Sequence, residues 1–219
     1  CAPSWFSRKR LMNVWYSLSD IPGNEASVVT IGNFDGMHNG HKKVISTCIE
    51  RAHKLGVDAV AITFDPHPIQ VHKPEVGLQL ISPLRDRLDA MAAAGLDATL
   101  VAHYDASVYS LEADEFVYEY LVERCGAREV VVGEDFRFGR GNAGTIDTLR
   151  ELGSRYGFNV ITVTDIEAPE GRRWSSSWVR ELLAAGDVSG AARVLGHLPR
   201  IRGTVCPGFK RSRTLGFPT

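Results

Sequence analysis

Short apolar runs and amphipathic helical patterns alternate along this chain, and that alternation leaves few folds open. Residues 28–31, 57–64, 98–103, 129–133 and 159–163 read as strands. Helical patterns fall between them at 41–55, from Ser82 to Gly95, at 111–124 and at about 145–156. Residues 57–64 are apolar almost throughout, as a strand covered on both faces has to be. Strands separated by crossover helices predict an α/β fold with a parallel sheet of about five strands and flanking helices.

At 219 residues the chain can bury one substantial core. A formal net charge of -1 offers no electrostatic pull toward nucleic acid. Hydrophobic residues at 44% with 23% charged exclude a disordered chain. Cys1, Cys48, Cys125 and Cys206 have no C-x-x-C spacing and are too scattered for a disulfide framework, which fits a reducing cytoplasm. No apolar stretch is as long as a membrane span. Arg8, Lys9 and Arg10 are followed by no apolar segment, so a signal peptide is not expected. A homo-oligomer is compatible with the sequence.

The first strand runs into Gly32-Asn33-Phe34-Asp35-Gly36-Met37-His38-Asn39-Gly40-His41, and a helix follows. At such a junction the unsatisfied N–H groups of the first helical turn and the positive end of the helix dipole point at one spot. Gly32, Gly36 and Gly40 let a ligand approach the backbone. His38 and His41 share one side of the first turn and can donate hydrogen bonds to phosphate oxygens. The loop is neither a P-loop nor a dinucleotide fingerprint. A zinc site would need a third ligand, and Asp35, the nearby carboxylate, is better suited to holding the loop or a ribose. A polar turn with two exposed histidines is the plainer account, but a pair flanking a glycine at this junction weighs against it. The loop reads as a nucleotide-triphosphate cradle.

This stretch resembles the G-x-F-D-G-x-H-x-G-H signature of the H-x-G-H nucleotidylyltransferases. More narrowly, it resembles the adenylyltransferase module of the bacterial bifunctional FAD synthetase family, which joins riboflavin kinase to FMN adenylyltransferase. The similarity runs from about Met12 to the last residue. It implies a Rossmann-like nucleotidylyltransferase fold, ATP and FMN as substrates, Mg²⁺ as cofactor, and His38 and His41 as phosphate contacts.

Other informative loops follow strands, where ligands of such sheets sit. Phe64-Asp65-Pro66-His67-Pro68 has two prolines that fix its backbone and present Phe64 and His67. It is equally a proline-stiffened turn, but it resembles the family's F-D-P-H-P segment on the flavin side. Gly133-Glu134-Asp135-Phe136-Arg137-Phe138-Gly139 resembles G-x-[DN]-F-x-F-G, with Asp135 where some members carry asparagine. Two aromatics around an arginine at a strand end are equally packing beside a surface salt bridge, but Phe136 and Phe138 offer flat surfaces to an isoalloxazine ring, and Arg137 a guanidinium to its phosphate. Gly139, Gly141 and Gly144 lend the loop beyond them the freedom to close over a ligand.

Arg172-Arg173-Trp174-Ser175-Ser176-Ser177-Trp178-Val179-Arg180 opens a further helix. A capping serine beside surface arginines is common; arginines on both sides of a triple serine are less so. The segment resembles R-x-x-S-S-T-x-x-R, the triphosphate grip of the family, with Ser177 replacing threonine and two tryptophans at positions usually small or aliphatic. The resemblance makes His38, His41 and Arg180 catalytic. It gives ATP to Gly32, Asn33, Phe34, Asp35, Gly36, Gly40, Arg172, Ser175, Ser176 and Ser177. FMN falls to Phe64, His67, Asp135, Phe136, Arg137 and Phe138. Metal ligands are not assigned.

Four segments are expected: an N-terminal extension at 1–11, the adenylyltransferase at 12–185, a helical connector at 186–198, and the incomplete start of a riboflavin kinase barrel at 199–219. Kinase activity is not expected of a barrel with so few residues. Two rivals stand beside FMN adenylylation: a flavin- or nucleotide-binding module without turnover, and an H-x-G-H transferase with a non-flavin phosphorylated acceptor. Phe64, Phe136 and Phe138 favour the flat acceptor.

Overall fold

The computed structural model describes residues 11–23, 25–164, 168 and 171–206. Most of the expected extension, and the kinase-like stretch with Gly208, Lys210, Arg211 and residues 213–219, lie outside the described residues. Six strands, all parallel, form one sheet in the order β1-β4-β3-β2-β5-β6. They are β1 Asn13–Trp15, β2 Ser27–Ile31, β3 Asp58–Asp65, β4 Ala98–His103, β5 Ala127–Gly133 and β6 Asn159–Val163. The strand beyond the expected five is β1, three residues on the sheet edge against β4. So short a strand carries no readable period, and its existence is decided by the partner.

Successive residues of the central strands point to opposite faces. Val28, Ala59, Ala61 and Val131 pack with Ile45, Cys48 and Met91, from α1 Asn39–Leu55 and α3 Leu84–Ala94. Val29, Val60, Ile62, Val130 and Val132 pack with Phe116, Leu121 and Leu149. Between α1 and α3 lies the short α2, Pro68–His72. The expected helix at 111–124 is found as α5 Ala113–Phe116 running directly into a π-helical stretch, Val117–Arg124, with a separate short α4, Ala106–Tyr109, ahead of it. Two separate caps keep α4 and α5 apart, Asp105 accepting from the Ser107 N–H and Glu115 from the Glu112 N–H. Next come α6 Ile146–Tyr156, α7 Ser176–Ala184 and α8 Val188–Leu195. The last two pack together through Trp178, Val179, Ala191, Val194 and Leu195, so the expected connector is part of the packed body.

Ser82 does not cap α3. Pro83 takes that position, and the Ser82 hydroxyl accepts the Gly36 N–H at 2.8 Å. From β2 the chain crosses to β3 on one side, and later returns to place β5 on the other. The crevice at the carboxyl ends of β2 and β5 is thus the topological switch point, where open α/β sheets take their ligands.

Candidate active site

A cleft of about 540 Å³ opens at that switch point, walled by the loops after β2, β3 and β5 and by the start of α7. The loop after β2 is held in unusual backbone geometry: Phe34 and Met37 have φ of 50° and 46°, and Gly36 has 79°. Such conformations persist where surrounding bonds over-determine them. Asp35, 1% exposed, supplies those bonds. Its carboxylate accepts the N–H groups of Ile81 and Ser82 at 3.0 Å and the Arg180 guanidinium at 2.5 Å. Its backbone carbonyl accepts the Ser176 hydroxyl at 2.9 Å. A Cβ on Gly36 would stand 2.8 Å from Ile81 Cγ2, so glycine is required there for space as well as for φ.

His38 is the N-cap of α1, its Nδ1 accepting the His41 N–H at 3.3 Å. That bond leaves the proton of the neutral ring on Nε2. The two imidazoles stack with centroids 3.6 Å apart. Burial, reinforced by the charge of Arg173, lowers His38 from 6.5 to about 4. Burial and the neighbouring His38 hold His41 well below its ordinary value. Both rings are therefore neutral near pH 7, and His41 Nδ1 is buried without a partner among the described residues.

The unfolded chain takes up the His38 proton near 6.5 and the folded chain near 4, so between them the unfolded state binds more protons. Stability therefore falls as pH drops through that window. The expected share of His38 is about 3 kcal/mol by pH 4. Urea midpoints of wild type and His38→Gln at pH 7 and pH 4 measure it; parallel losses in both proteins would contradict it.

Ser175 caps α7 by accepting the Trp178 N–H at 3.2 Å, and with Ser176 it lines the same cleft as the histidines. The two helix starts nearly touch, since a Cβ on Gly40 would lie 3.4 Å from the Trp174 carbonyl oxygen. Gly32, Asn33, Phe34 and Gly40 are on the cleft wall; Asp35, Gly36, Arg172, Ser177 and Arg180 are not. Arg172 pairs with Glu181 at 2.5 Å and lies over the Trp178 ring. Arg180 spans Asp35 and the Gln79 carbonyl. Arg173, which the motif alone does not single out, lines the cleft and pairs with Asp135 at 2.7 Å.

The remainder of the wall is aromatic. Phe136 and Phe138 stack at 5.4 Å, with Phe116 behind them at 6.1 Å from Phe138. Across the opening, Phe64 meets Tyr104 edge-on at 5.5 Å, and the Tyr104 hydroxyl bonds His72 Nε2 at 2.9 Å. Asp135 and Arg137 also line the cleft, whereas His67 is buried outside it, capping α2 through the Ile69 N–H. Tyr104, Tyr109 and Phe116 belong to the wall and to no motif; the position of Tyr104, directly after β4, is the signal that points to it. The glycine loop is tied rather than open, Phe138 and Gly144 exchanging backbone bonds of 3.2 and 2.9 Å.

Arg87 is also outside any motif. Fully buried, it donates to the carbonyls of Asn33 at 2.9 Å and Phe64 at 3.2 Å and to the Asp65 carboxylate at 3.1 Å. It thereby fixes the loops after β2 and β3 to each other.

A parallel sheet whose switch point carries two facing helix starts defines a nucleotidylyltransferase-like α/β fold. Pantoate-beta-alanine ligase from Francisella tularensis, solved with an ATP analogue and beta-alanine, shares that fold at TM-score 0.53 and 12% identity, over 83% of this chain and 78% of its own. A macrolide-efflux protein from Streptococcus pneumoniae superposes at TM-score 0.80 and 27% identity, over 95% of this chain and 67% of its own. The chain belongs to the FAD synthetase family, whose model matches residues 20–178. The bifunctional riboflavin kinase/FMN adenylyltransferase of Escherichia coli K12 is 35% identical over 96% of this chain, and that of Pseudomonas fluorescens 38% over 90%. The chain spans 66% and 63% of the length of those two relatives. Among the described residues no helix is long and apolar enough to cross a membrane.

Proposed function

We propose that this chain transfers AMP from ATP to FMN, giving FAD and pyrophosphate. The observation that carries the reading is the cleft itself: two neutral histidines at the start of α1 and two serines at the start of α7 face one space whose far walls are aromatic. The polar half suits a triphosphate, and the flat apolar half suits an isoalloxazine ring.

An oxygen of the FMN phosphate attacks the α-phosphorus of ATP. The new P–O bond forms as the bond to the bridging oxygen breaks, and pyrophosphate leaves with the electron pair. The attacking phosphate is already largely ionised near pH 7, so no protein base is required. Catalysis is positioning and charge stabilisation. His38, through its Nε2–H, and His41 donate to phosphate oxygens beside the N–H groups of α1. Ser175, Ser176 and the first turn of α7 hold the β- and γ-phosphates, with Arg173 supplying positive charge. Arg180 stands behind them and acts through Asp35.

A bound Mg²⁺ would offset the charge of the triphosphate. Among the described residues no three His, Cys, Asp or Glu side chains group as a cage, and the carboxylate on the cleft wall, Asp135, is ion-paired. That donor set fits an ion carried mainly by substrate phosphates. The free thiols of Cys48 and Cys125 suit a reducing cytoplasm.

Purified protein supplied with Mg-ATP and either FMN or glycerol phosphate tests the reading. FAD from FMN and no product from glycerol phosphate is the expected result. Tight flavin binding without product, or adenylylation of the non-flavin acceptor alone, would overturn it.

A further inference from the structure

In the sequence, residues after Gly186 look like a spacer. In the structure the end of α8 is tied to the first turn of α1 and to the cradle loop. Asn39 Nδ2 donates to the Arg193 carbonyl at 3.1 Å. Lys42 Nζ donates to the carbonyls of Leu195 at 2.9 Å and Gly196 at 3.0 Å, closing the C-terminus of α8, where backbone acceptors have no helical partners. His197 Nε2 lies 3.0 Å from the Gly36 carbonyl oxygen. His197 Nδ1 lies equally close to the Leu198 carbonyl oxygen, at 3.0 Å, and a carbonyl only accepts, so the bond to Gly36 is made when Nε2 carries a proton.

The two peptide groups flanking the Gly36 Cα are therefore both held, the Gly36 N–H by Ser82 and the Gly36 C=O by His197. A Cβ on Gly36 would stand 3.0 Å from Leu195 Cδ2, so the same segment also presses on the loop. Gly36 precedes Met37, whose positive φ turns the chain into His38, the cap of α1. The contacts of α8 and His197 thus bear on the polar half of the cleft. None of them reaches Phe64, Phe136 or Phe138 on the aromatic half.

We propose that His197 is a positioning residue for the nucleotide. With Asn39 and Lys42 it clasps the segment following α8 to the phosphate cradle, so that nucleotide affinity depends on where that segment lies while flavin affinity does not. The inference rests on the ATP- and FMN-binding reading of the cleft.

Steady-state kinetics of wild type, His197→Phe and His197→Gln test it. Losing one such bond corresponds to about a tenfold change. His197→Phe is expected to raise KM for ATP by about that factor, with KM for FMN within about twofold of wild type. His197→Gln, whose amide N–H reaches toward the same carbonyl, is expected to recover most of the loss. An unchanged KM for ATP, an equal rise for both substrates, or glutamine performing no better than phenylalanine would overturn the proposal. Asn39→Ala, which removes the bond to the Arg193 carbonyl, is expected to raise KM for ATP about threefold. A wild-type value there would count against the clasp even if His197→Phe does not fold. Calorimetry of Mg-ATP binding to wild type and His197→Phe reads the same tenfold without turnover. A wild type that makes no FAD overturns the functional reading; equal Mg-ATP affinities overturn the clasp.

Discussion

His41→Ala lowers turnover by about a hundredfold or more while the protein stays folded. The ring sits at the start of α1, stacked on His38 and edge-on to Phe34 at 5.3 Å, with Nδ1 buried and unpartnered among the described residues. Its structural bonds are few, so its removal costs mainly the hydrogen bond it would give to charge developing on the transferring phosphate. Loss of one such preorganised donor costs on the order of 3 kcal/mol in transition-state stabilisation. Burial holds the ring neutral, so the donor is present across the neutral pH range, and no inflection from His41 is expected in the rate between about pH 6 and 8. Single-turnover rates with saturating Mg-ATP and FMN, together with circular dichroism, check both halves. Wild-type turnover in the folded variant would remove His41 from the mechanism.

Asp35→Ala has the largest expected effect on stability. This carboxylate is 1% exposed and holds two backbone N–H groups and the Arg180 guanidinium, whose side chain is 22% exposed. Removing it leaves a guanidinium and two amides without their acceptor in a largely water-free site. Breaking a buried pair from one side costs about 3–5 kcal/mol. Urea denaturation should show that loss. The same variant should lose most activity, because the Arg180–Asp35 pair ties α7 to the cradle, and the remaining Ser176 bond, made to the Asp35 backbone carbonyl, holds it alone. Arg180→Ala should resemble it more closely in activity than in stability, since Asp35 keeps its amide donors. A loss under about 1 kcal/mol for Asp35→Ala would show that the loop is held elsewhere.

The fold class was legible because strands buried on both faces must be apolar nearly throughout, and the junction between β2 and α1 because glycines there separate an apolar run from a helical pattern. Strand β1 was not, since three residues on an edge are specified by β4 rather than by their own pattern. The motif containing Arg180 placed it near the triphosphate, but its partner Asp35 lies 145 positions away, and only the folded chain shows which of two acceptors, phosphate or carboxylate, it meets. Arg172 and Arg173 are neighbours of the same charge, and only the direction of the backbone entering α7 sends one to Glu181 and the other into the cleft. Arg87 and Tyr104 are single residues without a motif, and neither can be told from an ordinary surface residue until the loops they touch are in place.

Adenylyl transfer as proposed requires one triphosphate lying between the starts of α1 and α7, with the flavin phosphate directed at its α-phosphorus. ATP radiolabelled on the α-phosphate and, in a parallel reaction, on the γ-phosphate, incubated with the protein, Mg²⁺ and FMN, tests this directly. The expected result is label in FAD from the α-position and none from the γ-position, with transfer lost in His41→Ala. Label reaching the flavin from the γ-phosphate, or not at all despite bound nucleotide, would contradict it.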